Sequence, residues 1–159
     1  MSPHFDIAAD ATVLIIDDEA ANVALIERLL RREGFKKITT TTDPRNAVQL
    51  FNETNPDIIL LDLMMPHLDG FALLEAFSRL IGPASFVPIV VLTADVSVET
   101  RRRALSLGAK DFLTKPIDMV ETLLRIFNLL ETRFLFRTLA ELTGEAPFVG
   151  RNTNADQRS

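Results

Sequence analysis

"VLIIDDE", residues 13–19, decides how the chain folds. Four apolar residues, Val13 to Ile16, run without a break into three acids. A short apolar run with no alternation reads as a strand covered on both faces. Such a strand belongs to a sheet packed between helices. Acids crowded at its end need a positive group to meet them.

The sequence on either side supplies the rest of the sheet. After the first strand, Thr12–Ile16, the stretch Ala20–Arg32 sets Val23, Ile26, Leu29 and Leu30 at helical spacing. Arg31 and Arg32 close that helix where its dipole favours cations, and Gly34 stops it. Lys37–Thr41, rich in threonine, reads as a second strand. Asp43-Pro44 is a cap followed by proline at the first helical position, and Asn55-Pro56 ends that helix. Ile58–Leu61 and Pro88–Leu92 are the third and fourth strands, and Lys110–Leu113 is a short fifth. Between them, Asp69-Gly70 opens a third helix that Gly82-Pro83 stops, and Ser97 caps a fourth that Gly108 closes. A last helix begins near Asp118. This alternation predicts an α/β fold, a doubly wound five-stranded parallel sheet with helices on both faces. In the strand order 2-1-3-4-5, ligands bind outside the carboxyl ends of the first and third strands, where the winding reverses.

That topology gathers Asp17, Asp18 and Asp62 in one crevice, with Thr93 and Lys115 on the same edge. Three neighbouring carboxylates repel one another, so one protonates or a cation neutralises them. Oxygen-only ligands favour a hard ion, best Mg²⁺. A metal beside a carboxylate, with a lysine opposite, makes a pocket for a transferring phosphoryl group, which needs positioning and charge neutralisation. On this reading Asp62 is the nucleophile. Asp17 and Asp18 hold the metal, with Asp62 a further ligand; Lys115 and the Thr93 hydroxyl meet phosphoryl oxygens. Singly, Asp18 reads as a helix cap and Lys115 as a surface lysine; the convergence of four strand ends gives them their meaning. Asp95, two beyond Thr93, is expected to influence loss of the phosphoryl group by placing or repelling a water.

The blocks "LIIDDE", "IILLDLMMPHLDGF", "VVLTAD" and "GAKDFLTKPI" resemble, in this order and spacing, the receiver domain of two-component response regulators (the CheY-like superfamily). The resemblance spans about Ala11 to Leu130 and implies a flavodoxin-like fold. It also implies that Asp62 is the phosphorylated aspartate, that Asp17 and Asp18 bind Mg²⁺, and that the backbone carbonyl of Met64 is a third protein ligand. Thr93 matches the switch hydroxyl, Ala94 the small residue after it, and Lys115 the family's lysine, with a cis bond to Pro116. Phe112 matches an aromatic switch position that is often tyrosine. Lacking a hydroxyl, it must work by burial. The implied partner is a sensor histidine kinase or a histidine phosphotransfer protein.

Composition narrows the alternatives. The 159 residues carry a net charge of -5, opposite in sign to most nucleic-acid binders. There is no cysteine and only His4 and His67, so thiolate and His-rich metal sites are out. His67 reads as a solvated loop residue. The start lacks a signal peptide, and no stretch approaches the ~20 residues of a membrane span; a cytoplasmic protein without membrane partner is expected. An aspartate-nucleophile phosphatase usually has a second acid two residues on; here that position is Met64, and an enzyme is not expected beyond slow self-catalysed phosphorylation and dephosphorylation.

Residues 1–10 read as an N-terminal extension and 11–130 as the receiver. Helical character then continues through "DMVETLLRIFNLLETRFLFRTLAEL", residues 118–142. At ~1.5 Å per residue such a helix approaches 40 Å. Its apolar residues, Leu123, Phe127, Leu130 and Phe134, then Leu135, Leu139 and Leu142, exceed one docking face. The segment 131–143 is therefore expected to dimerise or dock, rather than fold back on its own domain. Residues 144–159 read as a disordered tail. The expected function is a single-domain response regulator, phosphorylated on Asp62, that signals through a changed interaction or dimer surface. The alternatives are a receiver piece of a regulator with an enzymatic output such as cyclic-dinucleotide turnover, or a phosphorelay intermediate.

Overall fold

In the computed structural model, residues 6–66 and 68–144 are described. The opening run forms β1 (Thr12–Ile16), followed by α2 (Ala20–Arg32) and β2 (Lys37–Thr41); before it lies a one-turn helix, α1 (Ile7–Asp10). Then come α3 (Ala47–Thr54), β3 (Ile58–Asp62), the two-residue strands β4 (Met64–Met65) and β5 (Leu68–Asp69), and α4 (Gly70–Ile81). The chain continues through β6 (Ile89–Thr93), α5 (Val98–Ser106), β7 (Asp111–Thr114) and α6 (Met119–Thr143). The main sheet has the order β2-β1-β3-β6-β7, all parallel. This is the anticipated 2-1-3-4-5 order, with β4 and β5 pairing separately as a small antiparallel hairpin.

Alternation along the strands divides the core in two. Val13, Ile15, Ile58, Leu60, Val90 and Leu92 face α1, α2 and α6, meeting Val23, Ile26, Leu30, Ile126 and Leu130. Leu14, Ile16, Ile59, Leu61, Ile89 and Val91 face the other way, onto Leu73, Leu74 and Phe77 of α4 and Ala104 of α5. The caps predicted at Asp43 and Ser97 hold, and Asp69 and Asp118, read as helix starts, also cap: each of the four accepts a backbone N–H of the turn it opens. Asp43-Pro44 opens a 3-10 turn, Pro44–Asn46, before α3 begins. Gly34, at φ +98°, ends α2.

α6 is one unbroken helix of 25 residues. Thr122, Ile126, Leu130 and Phe134, four apart, form its buried line, with Leu123, Phe127 and Leu129 packed alongside. Beyond Leu130 it is tied down at the amino ends of the strands. Asp57, just before β3, is buried and accepts from the Thr12 N–H at 2.9 Å, Arg133 Nε at 3.0 Å and Arg137 Nη1 at 3.1 Å. Arg133 Nη1 also donates to the Phe86 carbonyl, and the Phe86 ring stacks on Phe136 at 5.2 Å. Phe134 and Phe136 thus belong to the domain, and the exposed apolar residues of this extension are Leu135, Leu139 and Leu142.

Candidate functional site

The pairing register aligns the strand ends: Ile16 lies beside Leu61, Asp62 beside Leu92, and Thr93 beside Thr114. Residues just past β1 and at the ends of β3 and β6 therefore emerge at one rim. Asp17, Asp18 and Asp62 meet there, each offering a carboxylate oxygen within 4.8 Å of the others. Asp17 and Asp62 are fully buried.

Asp17 is fixed from several sides. Its Oδ1 accepts from the Glu19 N–H at 2.9 Å, and its Oδ2 from Asn22 Nδ2 at 3.3 Å. Asp62 Oδ1 accepts from the Met64 N–H at 3.0 Å. Lys115 Nζ lies 3.1 Å from Asp62 Oδ2, 3.2 Å from Asp17 Oδ2 and 3.2 Å from Glu19 Oε1. Lys115 is delivered by the turn after β7, with a cis bond to Pro116. The ammonium meets Asp17 and Glu19 of the opening stretch, but three carboxylates share this one cation, with Asp18 clustered beside Asp17 and Asp62.

That imbalance shows in the titration of the groups. Burial, with the Asp17 charge beside it, pushes the Asp62 carboxyl up to about 7, against the Met64 N–H and Lys115, which favour ionisation. Burial acts to lower the Lys115 ammonium, but Asp62, Asp17 and Glu19 outweigh it, so its pKa lies above the ordinary lysine value. Among the described residues Asp62 Oδ2 has the Lys115 charge contact and no hydrogen-bond donor besides, and buried Asp18 Oδ1 has no hydrogen-bond partner. Two underused buried oxygens in an all-carboxylate set suit a hard divalent cation.

Thr93 is buried at the end of β6, and its Oγ1 accepts from the Asp95 N–H at 3.0 Å. The Asp95 carboxylate turns toward α5. It accepts from Thr100 Oγ1 at 2.7 Å and the Ser97 N–H at 2.9 Å, and these donors, Thr100 foremost, hold it below the ordinary carboxylate range. Phe112 is half-buried in β7 on the α4–α5 side of the sheet. The Met64 side chain is 63% exposed beside Asp62. His67 lies outside the described residues.

Sequence reasoning missed Glu19 as a partner of Lys115, because the two are 96 residues apart. It also passed over the reason for glycine at 70. A Cβ there would press on the Leu63 carbonyl oxygen and lie 2.6 Å from the Leu63 Cα, one residue past Asp62. Gly70→Ala is expected to cost about 1–3 kcal/mol by overpacking, measured by urea unfolding. It should also slow any reaction at Asp62, because Leu63 must move; a variant of wild-type stability would show that the helix start yields freely.

The response regulator receiver domain family matches residues 13–127. Over 121 residues the chain is 39% identical to the transcriptional regulatory protein PrrA of Mycobacterium leprae, covering 76% of this chain and 50% of that one. Over 125 residues it is 40% identical to the response regulator PleD of Caulobacter vibrioides, covering 78% of this chain and 26% of that one. The chain thus spans half the length of the first relative and about a quarter of the second. Among solved structures, the Francisella response regulator 1452 receiver domain superposes with a TM-score of 0.69 at 31% identity, covering 77% of this chain and 98% of that one. Among the described residues no helix is long and apolar enough to cross a membrane. With the fold, the acid cluster and a family match over most of its length in agreement, the chain belongs to the response regulator receiver domains, the phosphoaccepting modules of two-component signalling.

Proposed function

We infer that this chain is a response regulator that takes a phosphoryl group onto Asp62 Oδ2 from a phosphohistidine of a sensor kinase or phosphotransfer protein. The observation that carries this reading is the meeting of Asp17, Asp18, Asp62 and Lys115 at one rim. The P–N bond of the donor breaks as the P–O bond to Asp62 forms, and the imidazole leaves with a proton from solvent. Asp17, Asp18 and Asp62, with the Met64 backbone carbonyl, would hold Mg²⁺, which supplies neutralisation of the phosphoryl oxygens. Lys115 exchanges its contact with Asp62 for one with a phosphoryl oxygen. The Thr93 hydroxyl, which accepts from Asp95, still has its own proton to donate to another. Phosphorylation shifts the balance between two arrangements, with Thr93 drawn to the phosphoryl group and Phe112 turned inward.

The reading extends to a cytoplasmic single-domain regulator of about residues 11–130, whose α6 extension, 131–143, offers Leu135, Leu139 and Leu142 to a second copy. The three leucines lie on one side of a helix that Asp57 holds in place, 59%, 44% and 77% exposed. A second reading, a receiver serving an output domain, is favoured by the fraction of the longer relatives that the chain covers.

Acetyl phosphate with Mg²⁺, followed by intact mass, tests the central claim. One added phosphoryl group per chain is expected, lost in Asp62→Asn. No mass gain, or an equal gain in the variant, rules out Asp62 as acceptor.

A further inference from the structure

α5 is weakly held by apolar contact. Only Ala104 of its nine residues is buried, and Val98 and Leu105 are 62% and 52% exposed. Polar and cation–ring contacts do the rest. The Arg103 guanidinium sits 4.0 Å from the Phe71 ring, and that of Arg101 sits 5.3 Å from the Phe112 ring. At its amino end, Thr100 and Ser97 bind Asp95, whose N–H donates to Thr93 Oγ1. α5 is therefore linked to both side chains expected to move. Thr93 reaches it through Asp95 and Thr100; Phe112 reaches it through Arg101. The two lie on the same face of the sheet, since Val91, two before Thr93, pairs with Phe112.

We propose that Arg101 is a positioning residue for signalling from Asp62: its guanidinium, seated on the Phe112 ring, holds that ring and α5 in the unphosphorylated arrangement. The proposal rests on the reading of Asp62 as phosphoacceptor and Phe112 as the responding side chain. Inward rotation of the ring removes the surface on which Arg101 sits. The contact thus opposes the phosphorylated arrangement by its own strength. A cation–ring contact at a half-exposed site is worth a factor of about two to five in such an equilibrium.

The test uses the full chain with Arg101→Ala, Arg101→Lys and, as control, Arg102→Ala on the neighbouring exposed position. Two quantities are read: the initial rate of phosphoryl uptake from acetyl phosphate with Mg²⁺, and amide hydrogen exchange of α5 without phosphodonor. Arg101→Ala is expected to gain about two- to fivefold in rate and to lose protection in α5. Arg101→Lys, which keeps a cation over the ring, should behave as wild type, and so should Arg102→Ala. In a Phe112→Leu background the Arg101→Ala change should have no further effect on either quantity. Arg101→Ala indistinguishable from Arg102→Ala overturns the proposal, as does an Arg101 effect undiminished in Phe112→Leu. Should the wild type take up no phosphoryl group, the phosphoacceptor reading fails, while exchange in α5 still decides whether Arg101 holds the helix through Phe112.

Discussion

Asp57→Ala is expected to destabilise the protein by about 2–4 kcal/mol, measured as a drop in urea midpoint at constant slope. The Asp57 side chain is 6% exposed and meets three donors. Removing one partner of a fully buried pair costs about 3–5 kcal/mol, because the remaining charge stays desolvated. Here the figure is reduced, since the side chains of Arg133 and Arg137 are 18% and 42% exposed and regain some water. Asp57→Asn keeps an acceptor for the Thr12 N–H but not the charge, and should lose about half as much. The loss should be local as well as global: amide protection should fall in α6 beyond Leu130 before it falls in the central strands. A midpoint within about 0.5 kcal/mol of wild type would show that the helix extension is held by Phe134 and Phe136 alone.

Chelation of divalent cations is expected to reduce phosphoryl uptake from acetyl phosphate at least about 100-fold. To attack phosphorus as proposed, Asp62 must be ionised, yet burial and the Asp17 charge raise its carboxyl to about 7, so a large share of it carries a proton at neutral pH. An incoming phosphoryl group adds further negative charge to a rim where Lys115 already serves three acids. Asp18→Asn isolates the contribution of the cluster. Its Oδ1 has no hydrogen-bond partner among the described residues, so the substitution removes a charge without breaking a hydrogen bond seen for that atom. Outer-shell changes at metal sites already cost about 10–100-fold in metal affinity; with Asp18 the direct ligand proposed above, its loss should raise the Mg²⁺ requirement at least that much. Uptake unchanged by chelator, with trace metal excluded, leaves Lys115 as the sole neutralising group.

Much of this was legible in the chain. The runs at 13–16, 58–61 and 89–92 could be read as doubly covered strands because their apolar character is continuous and their ends are sharp. The helix starts at Asp69, Ser97 and Asp118 were legible because capping is a local bond, satisfied within three residues. The gathering of Asp17, Asp18 and Asp62 followed from topology alone. What stayed hidden is non-local or too short to show a period. Asp57 precedes Arg133 by 76 residues and Arg137 by 80, and nothing in "NPDII" marks its partners. The stacking of Phe86 on Phe136 is equally non-local and left no mark in the sequence. α1 and the hairpin of β4 and β5 each offer too few residues for alternation or helical spacing to be counted.

The anchoring of α6 settles a matter of traffic. Asp57, Phe86 and Thr12 stand where the strands begin, whereas Asp62 and Thr93 stand where they finish. A phosphate donor and whatever covers the three leucines would come from opposite poles of the molecule. On the proposed reading neither visitor would block the other's path, and the protein would accept its phosphoryl group while its outer helix is engaged.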